Sequence, residues 1–137
     1  MPNEPFWVTP DGVVQLNRNI VGDTGEPHSL RDRGLLESAC DRPKNLWHYE
    51  SEADVATLAA SLLFGIARNH PFEQGNKRTA FEAMIGFLGA NSYRFNMYDD
   101  DRFADSITAV LAGTETEVEF TDRVRRLIEK VDLHSWR

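Results

Sequence analysis

The chain has 137 residues, the size of one domain, and 41% of them are hydrophobic, enough to bury a core at that length. A formal charge of −7 argues against a general nucleic-acid binder, which needs surplus Lys and Arg, and suits a protein with basic partners or one local positive pocket. The single cysteine, Cys40, excludes an internal disulfide and points to a reducing cytoplasm.

The first residues, "MPNEPFWVTPDG", carry no basic region and no long apolar core, so no signal peptide is expected. Thr9 followed by Pro10 reads as an N-cap with proline at the first helical position. The helix "DGVVQLNRNI" then stops near Gly22, and the turn-rich "GDTGEPHS" is a loop. Asp32 caps a second helix, "RGLLESACDR", expected to end before Pro43. "PKNLWHYE", residues 43–50, has aromatic and β-tolerant residues without helical period and reads as an extended flap.

Ser51 with Asp54 three positions on resembles a capping box with a shortened acid. Val55, Leu58, Ala59, Leu62, Leu63 and Ile66 follow at helical spacing, apolar on nearly every side, which predicts a buried central helix. Its stretch "LAASLLFGIA" is about half of what a membrane-spanning helix needs. Pro71 pushes His70 out of helical geometry and ends that helix. From Asn76 a new pattern runs through Ala80, Phe81, Met84, Ile85, Phe87 and Leu88 to near Asn91. "YRFNMYDDD" is a connection with room for one short strand. Asp100 or Asp101 caps "RFADSITAVLAG", which Gly113 closes, and Thr121 caps the last helix, "DRVRRLIEKV". No sustained alternation appears, so the fold class is all-α, a compact single domain of about six helices.

Between the third and fourth helices stands "HPFEQGNKRT", His70 to Thr79. Gly75 permits a tight turn, and Asn76 to Arg78 open a helix whose first amides have no partners and form a ready anion site. Lys77 and Arg78 add full positive charges, and His70 can act as a general base for a hydroxyl nucleophile. Together they describe phosphoryl or nucleotidyl transfer. On residues alone the plainer reading stands level: Gly-Asn is a common turn, and Lys and Arg often decorate helix starts. The run is not a Walker A loop. His28, His48, His70 and His134 lack zinc-ligand spacing.

The stretch also resembles the signature of the Fic/Doc superfamily, His-Pro-Phe-x-(Asp or Glu)-Gly-Asn-(Gly or Lys)-Arg, and Lys77 is the version of the Doc, or death-on-curing, branch. "SLRDRGLLESACDRP" and "LAGTETEVEFTDRVRRLIEK" extend the likeness over nearly the whole chain. The resemblance implies a compact helical domain with the motif between two central helices. It implies that His70 is the general base toward a target Ser, Thr or Tyr hydroxyl, with Gly75, Asn76 and neighbouring amides as anion hole. Lys77 and Arg78 would hold the phosphates of ATP or another nucleoside triphosphate, Phe72 would anchor the loop, and Arg68 would face the site. The flap residues Leu46, Trp47, His48 and Tyr49 would dock an extended target segment by main-chain pairing. The alternative for Trp47 and Tyr49 is packing on the core.

Two departures stand out. Gln74 replaces the acid that holds Mg2+ against the phosphates; its carbonyl oxygen can still coordinate but brings no charge. Phe81 stands where AMP-transferring relatives carry a further Arg, and their inhibitory pattern, (Ser or Thr)-x-x-x-Glu-(Gly or Asn), is absent. The resemblance therefore implies a toxin restrained in trans by a small antitoxin, transferring a phosphoryl or nucleotidyl group to a protein hydroxyl, with a translation factor as the model target. The alternatives are an AMP-transferring Fic enzyme and, because of Gln74, a non-catalytic protein-binding module. A nuclease using His70 and Asn76 is the weakest reading. No nucleic-acid or membrane partner is expected. "YDDDR", Tyr98 to Arg102, reads as a helix cap, and "RVRR", Arg123 to Arg126, as a solvated basic face.

Overall fold

The computed structural model describes residues 2–96 and 102–131. Six helices and one pair of short strands account for the described residues: α1 Pro10–Thr24, α2 Arg33–Glu50, α3 Val55–Asn69, α4 Asn76–Ala90, β1 Tyr93–Phe95, α5 Arg102–Ala112, α6 Glu117–Leu127 and β2 Ile128–Lys130. The expected all-helical class and helix number are met. The caps proposed at Tyr98 to Asp101 lie outside the described residues.

α3 is the central helix. Ala56 and the unbroken run Leu58–Ala67 are buried, with α2 and α4 packed along it and α6 across it. Gly65 lets α2 approach closely: a β-carbon there would lie 3.2 Å from both Cα and O of Ala39. Phe64, Phe120 and Phe103 form an edge-to-face chain from α3 into α6 and α5, and Phe81 and Phe95 join it. Phe81 thus occupies a core aromatic position. Cys40 belongs to the same core, where burial pushes its thiol up to about 11 and keeps it from acting as a nucleophile.

Several boundaries differ from the sequence expectation. α1 continues to Thr24, where Gly25 supplies the left-handed cap. α2 does not stop before Pro43, so residues 43–50 are helix rather than extended flap. Pro43 removes the amide that would bond the Ala39 carbonyl. That carbonyl lies at the closest approach of Gly65, and the buried Pro43 with the half-buried Leu46 and Trp47 holds the helix on course. Trp47 meets Trp7 edge-on at 6.4 Å, and Trp7 stacks on Phe87 at 5.9 Å.

Ser51 is the left-handed C-cap of α2, and Asp54 is the N-cap of α3, accepting from the Thr57 amide at 3.1 Å. Burial opposes ionisation of Asp54, but donation from Arg125 and Thr57 outweighs it and lowers its pKa. Thr116, not Thr121, caps α6, in a capping box with Glu119; the Thr121 hydroxyl donates to the Glu117 carbonyl. α6 ends at Leu127 because the next three residues pair antiparallel with β1, Phe95 opposite Ile128. The basic face of α6 is largely ion-paired: Arg123 with Glu115, Arg125 with Asp54 and Asp122.

Candidate functional site

α3 ends at Asn69, and His70 takes left-handed geometry, φ 53° and ψ 54°. Pro71 forbids a further helical turn, and His70 closes the helix by donating its amide to the Ile66 carbonyl at 3.0 Å. A non-glycine residue in this region carries a cost of about 1–2 kcal/mol, offset by surrounding bonds.

Those bonds come mainly from one side of the loop. The Arg31 guanidinium donates to the His70 carbonyl at 2.8 Å and to that of Asn69 at 3.1 Å. The amides of Arg31 and Asp32 both donate to Pro71 O, at 2.7 and 3.1 Å. The Asn76 side chain closes a ring on Phe72, accepting from its amide at 3.0 Å and donating to its carbonyl at 2.7 Å. Asn17 of α1 donates to the Gln74 carbonyl at 2.8 Å and to the Thr79 hydroxyl at 3.1 Å. Its own oxygen accepts from His28 Nδ1 at 2.8 Å, because its amide nitrogen is already committed twice. Five successive or near-successive carbonyls, those of Asn69, His70, Pro71, Phe72 and Gln74, are thus tied to donors within the protein.

Phe72 is fully buried beneath this loop, beside the His28 ring at 5.9 Å. Leu30 forms an antiparallel bridge with it, and Glu73 donates its amide to Ser29 O at 3.0 Å. The extended segment that flanks the motif is therefore Ser29–Asp32, ahead of α2.

Gly75, at φ 75°, starts α4. A β-carbon there would lie 3.2 Å from Val21 Cγ1 and 3.4 Å from the Asn17 amide nitrogen, besides requiring an unfavourable φ. The first bond of α4 runs from Thr79 N to Gly75 O at 2.9 Å, and no side chain caps this end. The amides of Asn76, Lys77 and Arg78 precede that bond and constitute the positive end of the helix. His70, Gln74, Lys77 and Arg78 are exposed around it, and Lys77 reaches the Thr108 hydroxyl of α5 at 3.4 Å.

Not every expected site residue gathers here. Arg68 turns to α6: it pairs with Glu117 at 2.9 Å and lies 5.1 Å over the Phe64 ring. Glu117 also binds Arg42 at 3.1 Å, and both arginines line a polar cavity of about 370 Å³ with Ser38, Asn45, Gly65 and Asn69. Leu46, Trp47, His48 and Tyr49 sit at the far end of α2, about 20 Å along its axis from the Arg31–Pro71 contact at 1.5 Å per residue. His48 pairs with Glu4 at 3.2 Å, and Tyr49 is 83% exposed. The docking-flap expectation is corrected accordingly: helix α2 consumes the main-chain groups that strand pairing would need.

Asn17, His28 and Arg31 were not picked out by sequence reasoning. Asn17 had a signal, since it shares the buried stripe Val13, Ile20 and Val21 of α1, where a polar residue needs a partner. Replacing Asn17 with Leu should cost about 3 kcal/mol of unfolding free energy, because Gln74 O, Thr79 Oγ1 and His28 Nδ1 all lose a buried partner. Urea denaturation checks this, and a loss below about 1 kcal/mol would mean the loop is held without α1.

A protein-family model described as Fic/DOC family matches residues 7–88, from before α1 to near the end of α4 and across the whole loop. The chain is 27% identical over 120 residues to "Protein kinase doc" of Escherichia phage P1, covering 88% of this chain and 94% of that protein. It is 37% identical over 83 residues to "Toxin Doc" of Mycolicibacterium smegmatis, covering 59% of this chain and 64% of that protein.

Proposed function

The chain belongs to the Fic/DOC family, in its Doc branch, and from that membership we propose a Doc-type toxin that modifies a protein hydroxyl with a phosphoryl or nucleotidyl group from a nucleoside triphosphate such as ATP. The observation that carries the reading is the polarity of the 70–78 loop: carbonyls tied inward, with His70, Lys77, Arg78 and the start of α4 at the surface.

In this mechanism a His70 ring nitrogen takes the proton of the Ser, Thr or Tyr hydroxyl as its oxygen attacks phosphorus. The new P–O bond forms while the bond to the leaving phosphate oxygen breaks. The departing nucleoside diphosphate, or pyrophosphate, keeps that electron pair. The α4 amides with Lys77 and Arg78 orient the polyphosphate and offset its charge. Arg68, two residues before His70, is paired with Glu117 and is not assigned a phosphate contact in this mechanism. A translation factor as target, a small antitoxin acting in trans, and action in the cytoplasm complete the proposal.

Gln74 favours one second reading, a non-catalytic binding module, because it removes the acid expected at that position. Intact-protein mass spectrometry of a cell extract incubated with the chain and ATP decides between them. A gain of about 80 Da on a target identifies phosphoryl transfer and about 329 Da adenylyl transfer. No gain on any protein supports the binding module.

A further inference from the structure

Family resemblance places Mg2+ beside position 74, yet the groups present there do not suit a protein-held dication. Magnesium takes hard oxygen ligands, commonly one or two carboxylates together with substrate phosphates. Gln74 offers a neutral amide. Glu73 is the loop's one carboxylate residue; its amide is held by Ser29 O and its side chain is exposed, so the loop offers a single carboxylate, one residue away from position 74. No group of three His, Cys, Asp or Glu side chains that could hold a metal occurs among the described residues.

Backbone carbonyls are the other source of hard oxygen, and five of them here already accept hydrogen bonds. Asn69 O and His70 O accept from Arg31, Pro71 O from two amides, Phe72 O from Asn76 and Gln74 O from Asn17. Around the uncapped start of α4 the exposed side chains are those of His70, Glu73, Gln74, Lys77 and Arg78: two full positive charges, one carboxylate, an imidazole and a carboxamide that can donate as well as accept. A cation placed between the α4 amides, Lys77 and Arg78 meets like charge, whereas a polyphosphate there meets complementary charge.

We propose that this loop binds the nucleotide's phosphates without a divalent cation, Gln74 donating from its carboxamide to a phosphate oxygen instead of holding a metal. The inference rests on the phosphate-site reading above and specifies how that site neutralises its ligand. Chain cations and helix amides supply the whole of the positive charge, so binding tracks Lys77, Arg78 and ionic strength rather than Mg2+.

Titration calorimetry of the full chain with ADP, in EDTA and in MgCl2, tests this. The natural chain should bind ADP with affinities within about threefold of each other in the two buffers. Gln74→Glu, which puts a carboxylate beside the phosphates, should bind about tenfold more weakly in EDTA and regain affinity with Mg2+. Thermal melts of both proteins establish that the variant is folded. Binding by the natural chain that vanishes in EDTA and returns with Mg2+ overturns the metal-free site and leaves the phosphate-site reading standing. Absence of ADP binding in both buffers overturns the two together.

Discussion

Replacing His70 with Ala should abolish target modification while leaving the fold in place. A positioned general base contributes about a hundred- to ten-thousandfold in rate. His70 is exposed, and its structural duties fall on its backbone: the amide closes α3 on Ile66 and the carbonyl accepts from Arg31. Alanine keeps both groups and meets a similar left-handed cost, so stability should change by about 0.5 kcal/mol or less. Time courses of transfer from ATP to the acceptor, read by mass spectrometry, should fall by at least about a hundredfold. A thermal melt run beside them should coincide with that of the natural protein. Unchanged transfer with the alanine variant would remove His70 from the chemistry.

The second large effect belongs to the apolar member of the same loop. Phe72→Ala should cost about 3–5 kcal/mol, the usual penalty for emptying a fully buried phenylalanine site. That is a large part of the 5–15 kcal/mol that holds a domain together. The cavity would open under the loop itself, between the His28 ring and the backbone that Asn76 grips from both sides. Cradle geometry should therefore suffer along with stability, and Phe72→Leu should recover most of both. Urea denaturation gives the first quantity. An alanine variant within about 1 kcal/mol of the natural protein would show that the hydrogen bonds alone fix the loop.

Much of the architecture is legible in the sequence because it is set locally. The caps at Thr9, Asp32 and Gly113, the apolar run of α3 and the stop at His70 all follow from nearby residues. What escaped is decided at a distance. α2 crosses Pro43 while its Ala39 backbone lies against Gly65 of α3, a contact that residues 33–50 alone do not announce. β2 looks like the tail of a helix until Arg94 and Glu129, 35 positions apart, meet across the strands. The cap of α6 is the exception, a local signal: in "TETEVEFT" Thr116 stands three residues before Glu119, at capping-box spacing. The site divides the same way. Its motif is contiguous and conspicuous, while the groups that shape it lie elsewhere: Asn17 shows only as a polar residue on a buried helical stripe, and His28 and Arg31 lie in a loop with no outward sign of a role.

The supports of the loop also have a direction along the chain. Apart from Asn76, the donors to the carbonyls of Asn69, His70, Pro71, Phe72 and Gln74 come from residues 17–32, which leave the ribosome before His70 does. Among the described residues, α5 and α6 supply none of the donors to these five carbonyls; their polar contacts nearby are Thr108 with Lys77 and Glu117 with Arg68. The scaffold is thus translated ahead of the part it scaffolds, and a nascent chain that has released α4 already contains every carbonyl tie of the loop.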